Sequence, residues 1–233
     1  MSGKVKWSAQ LGLVLLSALG LKVHYSTATP NELRWILAPT TRLVEFFSGE
    51  SFAFESYTGY MNSDHTFVIA APCAGVNFLI TAFLMLGLRR LWRDRFQGTS
   101  WRFIPLAAAG ASLSTLLANT VRICVALDLG SVESSWLTAN QLHRVEGIAV
   151  YFGFLLLLFV ISERVESAKP SRWWVVFPLL IYYGTTLGIP LANGSYRQSF
   201  AFLEHSVFVV VMPLLVLLPF VLWKSMTQRR RVL

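Results

Sequence analysis

The chain has 233 residues, 55% of them hydrophobic and 14% charged, with a formal charge of +8 and a mean hydropathy of +0.55. A soluble domain carries about a quarter charged residues, so this composition leaves too little polar surface to cover a water-exposed fold. The basic residues sit between hydrophobic runs, which is a membrane-orientation signal and not a nucleic-acid surface. The two cysteines, Cys73 and Cys124, form no CxxC pair and no zinc spacing, and the sequence calls for no cofactor and no metal.

Six apolar runs follow in chain order, at about 7–23, 66–88, 102–127, 142–161, 173–192 and 206–223. Each is close to the roughly 20 residues a bilayer core requires. The expected fold class is all-α: a polytopic membrane helix bundle of about six transmembrane helices, one integral membrane domain over residues 1–233, without internal repeats. The first run follows Lys4 and Lys6 and reads as a retained anchor, although Ser26 and Ala28 also make a passable signal-peptide cleavage site. After it, residues 31–47 mix Leu33, Trp35, Ile36, Leu43, Val44, Phe46 and Phe47 with Glu32, Arg34, Arg42 and Glu45. Broken by Pro39, this stretch reads as an interfacial segment of the first outer loop. Turns are expected at Ser48-Gly49-Glu50 and around Gly59.

With the N-terminus inside, segments 1–6, 88–102, 162–172 and 224–233 hold 14 of the 20 basic residues and three of the 12 acids. Every cytoplasmic segment is then basic, and an odd number of spans breaks the pattern. The expected location is a bacterial inner (plasma) membrane, crossed several times, with both termini cytoplasmic.

Polar residues inside spans are costly unless paired or used. Arg122 lies five residues from the outer end of the third run, about 8 Å deep at helical rise. Asn119 and Thr115 share its face, flanked by Ala118 and Ala126, so a polar stripe turns into the bundle. The competing reading is an arginine snorkelling to headgroups. Cys73 sits in Ala71-Pro72-Cys73-Ala74-Gly75-Val76-Asn77 at the outer start of the second run. There Pro72 suits a helix opening, Gly75 permits close approach, and Asn77 is expected one turn below the thiol on the same face. Cys124, two residues from Arg122, points off that face and reads as packing. His143 opens the fourth run, with Gly147 one turn below leaving room beside the ring. Glu146 pairs with Arg144 or His143, or forms a cavity wall. Runs two and four descend from the outer surface and run three rises to it, so Cys73, Arg122 and His143 share one depth.

That trio suffices for acyl transfer through a thioester. A cation favours the thiolate, which is the nucleophilic form. Arg122 keeps its charge and can stabilise a thiolate or an oxyanion. His143 can take and return a proton near neutral pH, and Asn77 or Asn119 could orient it. Cys73-Ala74-Gly75, Asn119-x-x-Arg122 and His143-x-x-x-Gly147, in that order on successive helices, resemble the exosortase/archaeosortase family over about residues 57–161. The Cys-Ala-Gly-Val-Asn-Phe sequence and the short length look most like exosortase K. Ala74 departs from the serine that many exosortases carry after the nucleophile, so no role of that hydroxyl is carried over.

The resemblance implies a membrane cysteine transpeptidase or peptidase acting on membrane-anchored proteins that end in a short motif, a hydrophobic helix and a basic tail. Cys73 matches the nucleophile, Arg122 the oxyanion or thiolate stabiliser and His143 the general acid/base. The acceptor stays open between an amine-bearing envelope component and water. Two rival classes are a small-solute transporter with Arg122 binding an anion, and a non-enzymatic scaffold locked by polar contacts. The uniformly apolar inner halves, such as residues 155–160 and 209–218, argue against a transport path. No Gly-x-Ser-x-Gly surrounds Ser112, Ser114 or Ser131, which argues against a rhomboid-like hydrolase. His24, His65, His143 and His205 are scattered in sequence, and no metal site is expected among them.

Overall fold

Apolar runs of this length close their own backbone hydrogen bonds, and the chain is helical through most of its course. The structure, a computed structural model, describes residues 2–94, 99–129, 138–166, 176–192, 194 and 199–229. Among the described residues the architecture is all-α apart from one small sheet, and the chain divides into two compact units, Met1–Val132 and Glu133–Leu233.

In the first unit, helix α1 (Gly3–Thr27) starts at Ser2, whose hydroxyl accepts from the Val5 amide at 3.4 Å. Helix α3 (Val76–Arg93) runs antiparallel to it and also packs against α4 (Phe103–Leu129). Gly87 of α3 lets α1 approach closely, since a Cβ there would stand 3.0 Å from Val14 Cγ1. The end of this unit opposite Cys73 is tied by polar contacts. Trp7 Nε1 donates to the Leu91 carbonyl at 3.0 Å, and buried Gln10 bonds both the carbonyl and the amide of Thr99, at 2.7 and 3.2 Å. Without water, such backbone groups would otherwise cost free energy, and Gln10 satisfies both of those of Thr99 ahead of α4.

The stretch between α1 and α3 folds against the opposite end. Helix α2 (Arg34–Ser48) runs unbroken through Pro39, contrary to the expectation that proline divides it. Its face of Ile36, Leu37, Thr40, Thr41 and Val44 is buried, and it packs on α4. The carbonyl that Pro39 deprives of a helical partner belongs to half-exposed Trp35, which lowers the cost of the missing bond. Gly49, at φ 75°, ends the helix. A three-stranded antiparallel sheet follows, β1 (Phe52–Glu55), β2 (Gly59–Asn62) and β3 (Val68–Ile69), in the order β1-β2-β3. Glu45 joins it to α2 by accepting from the Phe52 amide at 2.9 Å. These strands lie where the sequence pattern predicts turns but no sheet.

The second apolar run also begins later than expected. Residues 66–75 are not helical entry: Asn62 accepts from the Thr66 and Phe67 amides at 3.0 and 2.9 Å, β3 follows, and Ala71–Ala74 form a single 3-10 turn. Gly75, at φ 70°, separates that turn from α3.

In the second unit, α5 (Ala139–Glu166) packs against α8 (Ser199–Arg229) and α6 (Val176–Tyr183), which continues through a π-helical stretch, Gly184–Gly188, into α7 (Ile189–Ala192). Phe152 of α5 meets Tyr182 edge-on, with ring centroids 5.4 Å apart.

Helices thus occur at all six apolar positions. Among the described residues four are long and apolar enough to cross a membrane: Ala71–Arg93, Phe103–Leu129, Gln141–Val165 and Phe202–Pro219. Helix α1 carries Lys4, Lys6, Gln10, Lys22 and His24, while Val176–Ala192 is a shorter apolar helix. The contact at Gly87 gives a direct test of the first unit. Gly87→Leu should lower its stability by about 1–3 kcal/mol through overpacking, read by thermal unfolding in detergent. Adding Val14→Ala should recover part of that loss.

Candidate functional site

Cys73 owes its position to a local break. Pro72 sits in the first positions of the 3-10 turn, and the Cys73 amide donates back to the Ala70 carbonyl at 2.8 Å. The turn stops at Gly75, whose left-handed conformation redirects the chain into α3. This break corrects one expectation. Asn77 does not lie one helical turn below the thiol on a common face, because that i,i+4 relation requires one continuous α-helix. Asn77 is exposed, and its side-chain oxygen accepts from Lys22 Nζ at 2.8 Å.

The turn is held from two sides. On α4, fully buried Asn119 donates from Nδ2 to the Cys73 carbonyl. Gly75 makes the approach possible, since a Cβ at that position would lie 3.2 Å from both Asn119 Cγ and Thr115 Cγ2. On α1, the Tyr25 hydroxyl donates to the Ala71 carbonyl at 3.4 Å, and Lys22 Nζ lies 5.7 Å from the Tyr25 ring centroid. Helix α2 and strand β3 close around the same turn.

The expected face of α4 is present. Thr115, Ala118 and Asn119 are fully buried, and Arg122 is half-buried one turn further on. The Tyr25 phenol lies within electrostatic reach of both Cys73 and Arg122, so α1, α4 and the thiol turn meet at one end of the first unit. Both cysteines are free thiols. Cys124 is half-buried, and the charge that acts on it is Asp128, one turn along its own helix. Nothing in the sequence pattern singles out Tyr25 and Lys22 as neighbours of Cys73. They lie 48 and 51 positions before Cys73 and read as ordinary residues of a helix end. The available signal was their i,i+3 spacing, which puts both polar tips on one side of that end.

His143 belongs to the second unit, on the first turns of α5. Its ring is 49% exposed, and Nδ1 lies 3.6 Å from Oε2 of Glu146, a carboxylate only 6% exposed. Gly147 and Ile148 beside it are buried. Arg144 faces Glu204 of α8 at 3.8 Å, and Gln141 Nε2 donates to the same carboxylate at 3.0 Å. Among the described residues no group of three or more His, Cys, Asp or Glu side chains is placed to hold a metal ion. No protein-family model matches the chain, and no curated protein or solved structure is significantly similar to it.

The clamp on the thiol turn predicts two outcomes. Gly75→Ala, which meets both a left-handed φ and tight contacts, should destabilise the first unit by about 1–3 kcal/mol in detergent unfolding. Asn119→Leu should raise the rate at which a maleimide labels Cys73 while leaving the labelling of Cys124 unchanged.

Proposed function

We propose that the chain is a membrane cysteine transpeptidase or peptidase of the exosortase kind. It cleaves a C-terminal sorting signal on the outer side of a bacterial inner membrane, with both termini in the cytoplasm. What carries the reading is the setting of Cys73. A free thiol sits on a turn outside any α-helix, anchored by its own backbone to Asn119, at the end of the unit that Arg122 and Tyr25 share. A cysteine that merely fills space needs none of this.

In that reading the Cys73 proton passes to His143, and the thiolate attacks the carbonyl carbon of the scissile peptide bond. Arg122 stabilises the thiolate and then the oxyanion. The C–N bond breaks as His143 returns the proton to the leaving amine, leaving the substrate as a thioester on Cys73. An amine acceptor or water then attacks the thioester and restores the thiol. Substrates are membrane-anchored proteins whose hydrophobic helix lies in the bilayer and whose basic tail remains inside. The scaffold alternative uses Asn119 and Arg122 as polar ties between helices and assigns the thiol no reaction.

The test is co-expression with a reporter ending in a short motif, a hydrophobic helix and a basic tail. Cys73→Ala should abolish C-terminal processing without loss of folded protein, and Arg122→Lys should slow it by about 10²–10³-fold. Cys124→Ala should leave it intact. Undiminished processing by folded Cys73→Ala protein would exclude the cysteine mechanism and favour the scaffold.

A further inference from the structure

A buried carboxylate on an apolar helix is costly unless something compensates its charge. Glu146 is such a group: its side chain is 6% exposed, and Oε1 is buried with no hydrogen-bond partner among the described residues. Its one ion-pair contact among them is His143 Nδ1 at 3.6 Å, three residues earlier on α5. The nearby cation does not serve it. Arg144 is directed to Glu204 of α8, which Gln141 also binds, and its charge also reaches His205. The imidazole is half exposed while the carboxylate is sealed, so the ring spans from the protein interior to the open side.

We propose that Glu146 is the positioning residue of His143, accepting the Nδ1–H and so fixing the tautomer in which Nε2 exchanges protons with the reaction. This deepens the transpeptidase reading and rests on it for the identity of that reaction. The chemistry favours the arrangement. Neutral imidazole carries one proton, and the nitrogen that carries it is set by the partner of the other. A carboxylate at Nδ1 leaves the Nε2 lone pair to accept the thiol proton. It then faces the imidazolium so formed, until the proton passes to the leaving amine. A small rotation of either side chain shortens 3.6 Å to hydrogen-bond length, as happens when catalytic pairs tighten on binding substrate. Gly147, next in the chain, adds no side chain beside the pair.

The decisive measurement is the tautomer itself, by nitrogen NMR of ¹⁵N-histidine-labelled full-length protein in detergent micelles, at a pH where the imidazole is neutral. His143 is assigned by difference from His143→Gln. The expected result is predominant Nδ1–H at His143 in the unmodified protein, turning to predominant Nε2–H, the form free imidazole prefers, in Glu146→Leu. Predominant Nε2–H in the unmodified protein overturns the proposal, whatever the variant does. With the processing reporter, Glu146→Gln should lower kcat by about 10- to 100-fold at unchanged KM, and Glu146→Asp should recover part of it. A change confined to KM overturns the positioning role. The tautomer readout needs no substrate. Undiminished processing by Cys73→Ala together with Nδ1–H at His143 therefore rejects the transpeptidase reading and upholds the Glu146–His143 pair.

Discussion

The first unit depends on the close approach of α4 to the turn that carries Cys73. That approach exists because Gly75 has no Cβ and adopts a conformation other residues resist. With the backbone drawn in, Asn119 reaches the Cys73 carbonyl and Thr115 packs beside Gly75. The left-handed glycine also ends the 3-10 turn before α3 can absorb it. One backbone position therefore sets the helix start, the contact between helices and the placement of the thiol. Buried Asn119 is useful only because it finds this carbonyl; in an apolar setting an amide without a partner would cost about 1–3 kcal/mol.

The polar side chains that tie one element of this unit to another gather at its two ends. One end gathers Trp7, Gln10, Arg90 and Thr99 around the return from α3 to α4. The other gathers Lys22, Tyr25, Asn77, Asn119 and Arg122 near Cys73, beneath α2 and the small sheet. Between them the helices meet through small side chains, Gly87 and Gly110 on one helix each and Ala107, Ala111 and Ala118 on α4. Small residues let helices approach where lipid supplies no hydrophobic drive toward association. The second unit repeats the separation on a smaller scale. Gln141, His143, Arg144 and Glu146 open α5, and Phe152, Leu155, Leu156 and Phe159 fill its buried face beyond.

Much of this was legible in the chain itself, for reasons that particular residues make plain. Long apolar runs leave a backbone no alternative to the helix, so α4 lies within two residues of its expected bounds. The face of Thr115, Ala118 and Asn119 followed from helical spacing alone. Spacing failed at Asn77, because it presumes a helix already under way, and the chain is still in a 3-10 turn at Cys73. It failed again over residues 52–69. Four-residue strands give little periodic signal, and their pairing is fixed by contacts such as Asn62 with residues 66 and 67. Pro39 misled in the opposite direction, since burial of one face of α2 outweighs a single lost hydrogen bond.

The sequence by itself determined the all-α class and the positions of the apolar helices. Those properties are local or additive, since hydropathy sums along a run. Tertiary structure alone decided that Asn119 binds the Cys73 backbone, that Tyr25 and Lys22 join that end of the unit, and that Arg144 turns to Glu204. Each of these joins residues 46 to 60 positions apart. A hydrogen bond over such a separation forms only where packing has first brought two backbones close, and no pattern within either segment encodes that distance.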